Sequence, residues 1–135
     1  MTMVAALAFL QTLVIGRALT PFARRWGVSL GMIDAPTLER KIHSRPTPRS
    51  GGIAVFIAFW GALALNIAAA WALVPSLGFL PDSVRQLAAN LPLRLDQLGG
   101  VFLGCLIIFA LGVADDRFGL PAKSRLVVQF LATVP

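Results

Sequence analysis

Three stretches of this chain are so apolar and so long that lipid is the only solvent that suits them. The first begins at Met1, carries no charge as far as Gly16, and continues through Arg17, Ala18 and Leu19 to Pro21. The second, Ile53 to Val74, and the third, Leu98 to Ala114, contain no charged residue. About 20 such residues in a helix cover the roughly 30 Å of a bilayer's hydrocarbon. A backbone in hydrocarbon must satisfy its own hydrogen bonds, and an α-helix does so within one segment. The expected fold class is therefore all-α, a polytopic integral membrane protein. It has three full transmembrane helices, over about 3–23, 53–74 and 98–114, and the start of a fourth at 126–135, too short to cross. Composition agrees: 57% of residues are hydrophobic and 13% charged, against about 25% charged in soluble domains. A cleaved leader is not expected, because Arg17, Arg24 and Arg25 follow the first apolar run instead of preceding it.

The charges between these runs set an orientation. Lys and Arg number 12 against 6 Asp and Glu, and the isoelectric point is about 11.4. The basic residues form no stripe along a soluble domain, which argues against nucleic acid as a partner. Instead the first connection, 24–52, holds Arg24, Arg25, Arg40, Lys41, Arg45 and Arg49 against Asp34 and Glu39. The third, 115–125, holds Arg117, Lys123 and Arg125 against Asp115 and Asp116, while the middle one balances Arg85 and Arg94 with Asp82 and Asp96. The positive-inside rule then places the first and third connections in the cytoplasm. In the middle connection, Ser83 to Asn90 suits a short helix lying on the membrane surface. Cys105, the lone cysteine, supports neither a disulfide nor a cysteine-rich metal site.

Two features carry possible chemistry. Asp115 and Asp116 fall at the C-terminal end of the third span, where the helix dipole disfavours acidic groups. They require a compensating cation, either Arg117, Lys123 or Arg125, or Mg²⁺, which binds through one or two carboxylates and substrate phosphates. Adjacent helical residues point about 100° apart, so the two need not share a ligand. The bland alternative is a solvated helix end, with Gly119 as C-cap and Pro121 as stop. The second feature runs from Asp34 to Gly52 and gathers Arg40, Lys41, His43, Arg45 and Arg49. Such a surface suits a diphosphate, and equally suits a loop resting on anionic lipid heads. Gly51-Gly52 permits either a close approach to a ligand or a turn into the next span. Gln11 and Asn66, polar groups within spans, are expected to hydrogen-bond to neighbouring helices.

Together, Asp-x-Pro-x-x-x-Arg-Lys-x-His-x-x-Pro-x-Pro-Arg-x-Gly-Gly at Asp34–Gly52 and Gly112-Val-Ala-Asp-Asp-Arg-Phe-Gly-Leu120, followed by Lys123 and Gln129, resemble a known family. It is the polyprenyl-phosphate N-acetylhexosamine-1-phosphate transferases, in the WecA/TagO branch that takes UDP-N-acetylglucosamine or a relative. The resemblance implies transfer of a sugar 1-phosphate from a UDP-N-acetylhexosamine to undecaprenyl phosphate, releasing UMP and initiating a cell-envelope glycan. It implies a bacterial inner membrane, a cytoplasmic active face, and Mg²⁺ as cofactor, with Mn²⁺ as a possible substitute; a homodimer stays open. Carried over by residue, Asp115 deprotonates or orients the polyprenyl phosphate. Asp116 serves the metal or the same proton network, and Lys41, His43, Arg49 and Lys123 contact phosphate groups. Family members are longer and hold further cytoplasmic motifs. The chain is thus expected to be the N-terminal portion of one multi-spanning domain, inactive by itself. The alternative is a non-enzymatic helical module or transporter part whose basic loops only set topology. A transporter would place ionisable groups near mid-membrane, whereas here nearly all lie at span ends.

Overall fold

The computed structural model describes residues 2–34 and 47–133. In chain order it contains α1 (Thr2–Ser29), β1 (Ile33–Asp34), β2 (Thr47–Pro48), α2 (Gly51–Leu73), α3 (Asp82–Asn90), α4 (Leu95–Phe118) and α5 (Ala122–Leu131). A single 3-10 turn at Pro92–Arg94 leads into α4. Three helical stretches, Val4–Ser29, Gly51–Leu73 and Pro92–Phe118, are long and apolar enough to cross a membrane. The all-α expectation holds, and the two-residue strands add one small antiparallel ladder pairing Ile33 with Pro48 and Asp34 with Thr47. Phe9, Val14 and Val55 are each about two-thirds exposed (67%, 65% and 68%). Apolar surface on that scale belongs against lipid or other protein.

Helix α1 continues beyond its apolar run, through Pro21, Arg24 and Arg25, to Ser29. A helix, unlike a membrane span, does not end where hydrophobicity ends; it ends where its last carbonyls find other donors. Here the Gly31 N–H donates to Val28 O and the Met32 N–H to Gly27 O, with Gly31 at φ 73°. That 6→1 and 5→2 pair is a Schellman cap, and it requires the left-handed backbone that glycine adopts without strain. The cap turns Met32 inward, 1% exposed, against Ala23, Ile53 and Ala54. The Arg49 N–H then donates to Met32 O at 3.0 Å, extending the ladder and delivering the chain to the start of α2.

α1 and α2 pack through small residues. A Cβ on Gly16 would stand 3.6 Å from Ala58, and Ala54, Ala58 and Ala62 are buried. In lipid, close approach and interhelical hydrogen bonds hold helices together, since apolar burial alone gives little preference. Asn66 Nδ2 accordingly donates to Gln11 Oε1 at 2.8 Å and to Ala62 O at 2.7 Å. Such a bond contributes about 0.6 kcal/mol on average inside a bilayer. α4 joins α2 through aromatic rings instead: Phe56 stacks on Phe109 with centroids 4.2 Å apart, and Trp60 meets Phe102 edge-on at 4.8 Å. α5 folds back along α4, so closely that a Cβ on Gly104 would lie 2.7 Å from Ala132 O.

The tightest helix-to-loop approach is at Gly27, where an added Cβ would fall 2.4 Å from Ser50 Oγ and 2.5 Å from its Cβ. Gly27→Ala should therefore lower stability by about 1–3 kcal/mol through overpacking, read from unfolding in detergent. Adding Ser50→Gly, which removes both clashing atoms, should restore most of the loss. Gly61→Ala, where the new Cβ meets nothing within 4 Å, should change little.

Candidate active site

The end of α1, the start of α2 and the end of α4 meet at one end of the bundle, and a cleft of about 200 Å³ opens between them. Met32, Arg49, Ser50, Gly52, Ile53, Phe109, Gly112, Val113 and Asp116 line it. Its polarity follows from helix direction. α2 begins there, which brings the positive end of its dipole to the opening. Nothing lies within 4 Å of a Cβ added at Gly51 or Gly52, so this helix start is unobstructed. Gly51 and Gly52 are the first two residues of α2, with Ser50 in the N-cap position. α4 ends on the opposite wall, bringing negative carbonyls and the Asp116 carboxylate.

The two aspartates are separated by what they touch. Asp115 Oδ1 accepts the Leu120 N–H at 2.9 Å, and its Oδ2 accepts Arg125 Nη1 at 2.8 Å. With Gly119 at φ 64° and Pro121 opening α5, this carboxylate fastens the α4–α5 corner. Of the three cations the sequence offers, Arg125 is the one that pairs with it. Arg117 is exposed and lies over the Phe118 ring, 5.3 Å from its centroid, while Lys123 is exposed on the first turn of α5. Asp116, one residue on and so about 100° around the helix, faces the cleft. It is half-buried and, among the described residues, makes no hydrogen bond or ion pair.

Arg49 reaches the same cleft from the opposite side. Lys41 and His43 lie outside the described residues, between the two paired strands. No group of three or more His, Cys, Asp or Glu among the described residues is arranged to hold a metal ion. The donor chemistry nevertheless suits a share in one. An unpartnered, half-buried carboxylate is a hard oxygen ligand, and Mg²⁺ takes one or two of these with substrate phosphates completing its shell. Sequence reasoning passed over Ser50, which is 2% exposed with its Oγ unpaired. No local signal marks it, because its burial comes from the approach of Gly27 on another helix.

The corner pair is open to a double-mutant cycle. Asp115→Asn and Arg125→Gln should each loosen α4 from α5, and the two losses together should fall short of additivity by about 1 kcal/mol, as for a partly exposed pair. Thermal unfolding in detergent measures this; full additivity would mean the pair contributes no coupling.

No family model matches the chain, and no solved structure matches it. Curated proteins do. Over 122 residues it is 28% identical to a Bacillus subtilis protein named "Probable undecaprenyl-phosphate N-acetylglucosaminyl 1-phosphate transferase", covering 90% of this chain and 27% of that protein. Over 127 residues it is 30% identical to the decaprenyl-phosphate N-acetylglucosaminephosphotransferases of Mycobacterium tuberculosis and Mycolicibacterium smegmatis, covering 94% of this chain and 27% of each. The chain thus spans about a quarter of the length of the relatives it matches. Both motifs, Asp34–Gly52 and Gly112–Gln129, point to the same place as these relatives: the chain is a homologue of the polyprenyl-phosphate N-acetylglucosamine-1-phosphate transferases.

Proposed function

We propose that the complete protein transfers N-acetylglucosamine 1-phosphate, or a close N-acetylhexosamine equivalent, from its UDP-sugar to undecaprenyl phosphate, at the cytoplasmic face of a bacterial inner membrane. The observation that carries this reading is the two-signed cleft. One wall has Arg49 and the N-terminus of α2; the other has Asp116, without a partner among the described residues. A nucleoside diphosphate sugar with a divalent cation has this same division of charge, with anionic oxygens to one side and a cation to the other. The relatives' names supply the acceptor class, a polyprenyl phosphate, and the group moved.

In this reaction an oxygen of the acceptor phosphate attacks the phosphorus that bears the sugar. The bond from that phosphorus to the UMP oxygen breaks, a new diphosphate links sugar to lipid, and UMP leaves with the electron pair. A phosphate nucleophile at neutral pH is already ionised, so the protein's work is mostly positioning and neutralisation of charge. Arg49 and the α2 N-terminus hold the anionic diphosphate; Lys41 and Lys123 add cationic contacts, and His43 a polar one, from the two flanking connections. Asp116 is the residue that would hold Mg²⁺ (or Mn²⁺), which when bound offsets charge on the leaving phosphate. Asp115, fixed by Arg125 and the Leu120 N–H, orients the acceptor phosphate beside it. This chain carries part of that machinery, and the rest of the site is expected from the longer protein.

In the complete protein, Asp116→Asn should cut UMP release from UDP-N-acetylglucosamine and polyprenyl phosphate by roughly a hundredfold or more, with membrane insertion and melting temperature kept. Asp115→Asn should lose transfer together with some stability, since it also fastens a helix corner. Near-normal turnover in both variants would sink the assignment.

A further inference from the structure

A second polar cleft lies on another side of α1, away from the aspartates. Pro21, Arg24, Arg25 and Val28 follow one another at the i, i+3, i+4, i+7 spacing that makes a single helix face. Pro48 of β2 lines one side, and this open cleft has a volume of about 320 Å³. Both arginines are exposed, and among the described residues neither makes a hydrogen bond, ion pair or ring contact. Two adjacent unpaired guanidinium groups repel each other, and a shared anion relieves this. Each offers a planar fork that fits the oxygens of a phosphate.

The same face continues into the apolar run. Arg17, Val14 and Leu10 precede Pro21 at the same alternating spacing, with Val14 65% and Leu10 53% exposed. The opposite side of α1 is occupied: Gly16 meets Ala58, Ala23 is buried and Gly27 meets Ser50. The face thus presents an apolar track leading to a paired-arginine head, on a helix whose composition places the track in hydrocarbon and the arginines at its edge. We infer that this cleft binds the phosphate of a membrane amphiphile, its tail along α1. The site is separate from the aspartate cleft and does not depend on the transfer reaction.

The test uses the purified complete protein in a non-ionic detergent, with lipid retention read by native mass spectrometry. The probes are phosphatidic acid, a polyprenyl monophosphate, inorganic phosphate as competitor, and uncharged diacylglycerol. Phosphate-bearing lipids should be retained over diacylglycerol, and Arg24→Gln/Arg25→Gln should weaken that retention roughly tenfold. Arg85→Gln/Arg94→Gln, which removes the same charge from the middle connection, should not. Equal retention of both phosphate lipids marks a general headgroup site, and preference for the polyprenyl form marks selectivity for that tail; either keeps the proposal. Displacement by inorganic phosphate at concentrations comparable to the lipid's would mean a free-ion site in which the tail plays no part, and would overturn it. Because both side chains are exposed and unpaired, folding should survive, and Arg24→Lys/Arg25→Lys should keep part of the binding. Unchanged retention in the glutamine pair, equal loss in the Arg85/Arg94 control, a lysine pair as weak as the glutamine pair, or equal retention of diacylglycerol would each overturn the proposal.

Discussion

The hydrogen bond from the Met32 N–H to Gly27 O, at 2.8 Å, holds this architecture together more than its length suggests. A helix in hydrocarbon satisfies its own backbone everywhere except at its ends. At the polar end of α1 that bond, with its companion at Gly31, closes the helix and reverses the chain. Met32 then plugs the space between α1 and α2, and its carbonyl receives Arg49. Without the reversal, Arg49, Ser50 and the start of α2 would not stand opposite the end of α4. Gly27 has to lack a side chain because Ser50 occupies that space, so the cap and the cleft are one construction.

The packing of the bundle follows from the loss of the hydrophobic effect in lipid. α1 and α2 are joined by alanines, a glycine and one hydrogen bond across the interface. α2 and α4 are joined by rings whose stacking adds about 0.5–1.5 kcal/mol a pair beyond area. The two solutions leave different shapes. In the small-residue seam the backbones approach closely, whereas rings fill the space between α2 and α4. The cleft opens where the second seam stops, beyond Phe109.

Adjacent aspartates are a repeated problem in electrostatics, since two like charges at a helix C-terminus oppose both each other and the dipole. The structure divides the difficulty. Asp115 is neutralised by Arg125 and serves the corner; Asp116 has no hydrogen-bond or ion-pair partner among the described residues. A carboxylate in that condition, half out of water and unpaired, favours a cation. Arg24 and Arg25, exposed on α1, are likewise without a partner among the described residues. In both cases the unpaired charge sits at the end of a helix that the membrane has otherwise stripped of charge.

The fold class was legible in the chain alone, because uncharged runs such as Ile53–Val74 have one stable conformation in lipid whatever surrounds them. So was the preference of Gln11 and Asn66 for a neighbouring helix, which turns out to be each other. The sequence also put Asp115, Asp116 and Arg49 at span ends; in the structure Asp116 and Arg49 line the cleft and Asp115 pairs with Arg125. What the chain could not show was how they divide the work. That Arg125 and not Arg117 or Lys123 pairs with Asp115, that Asp116 turns to the cleft, and that Ser50 is buried beside Gly27 all depend on where α5 and β2 fold back. Hydrophobicity is a property each residue carries with it, so sequence fixes which segments enter the membrane. Pairing of charges depends on distances of a few ångströms between segments far apart in the chain, and only the tertiary structure sets those.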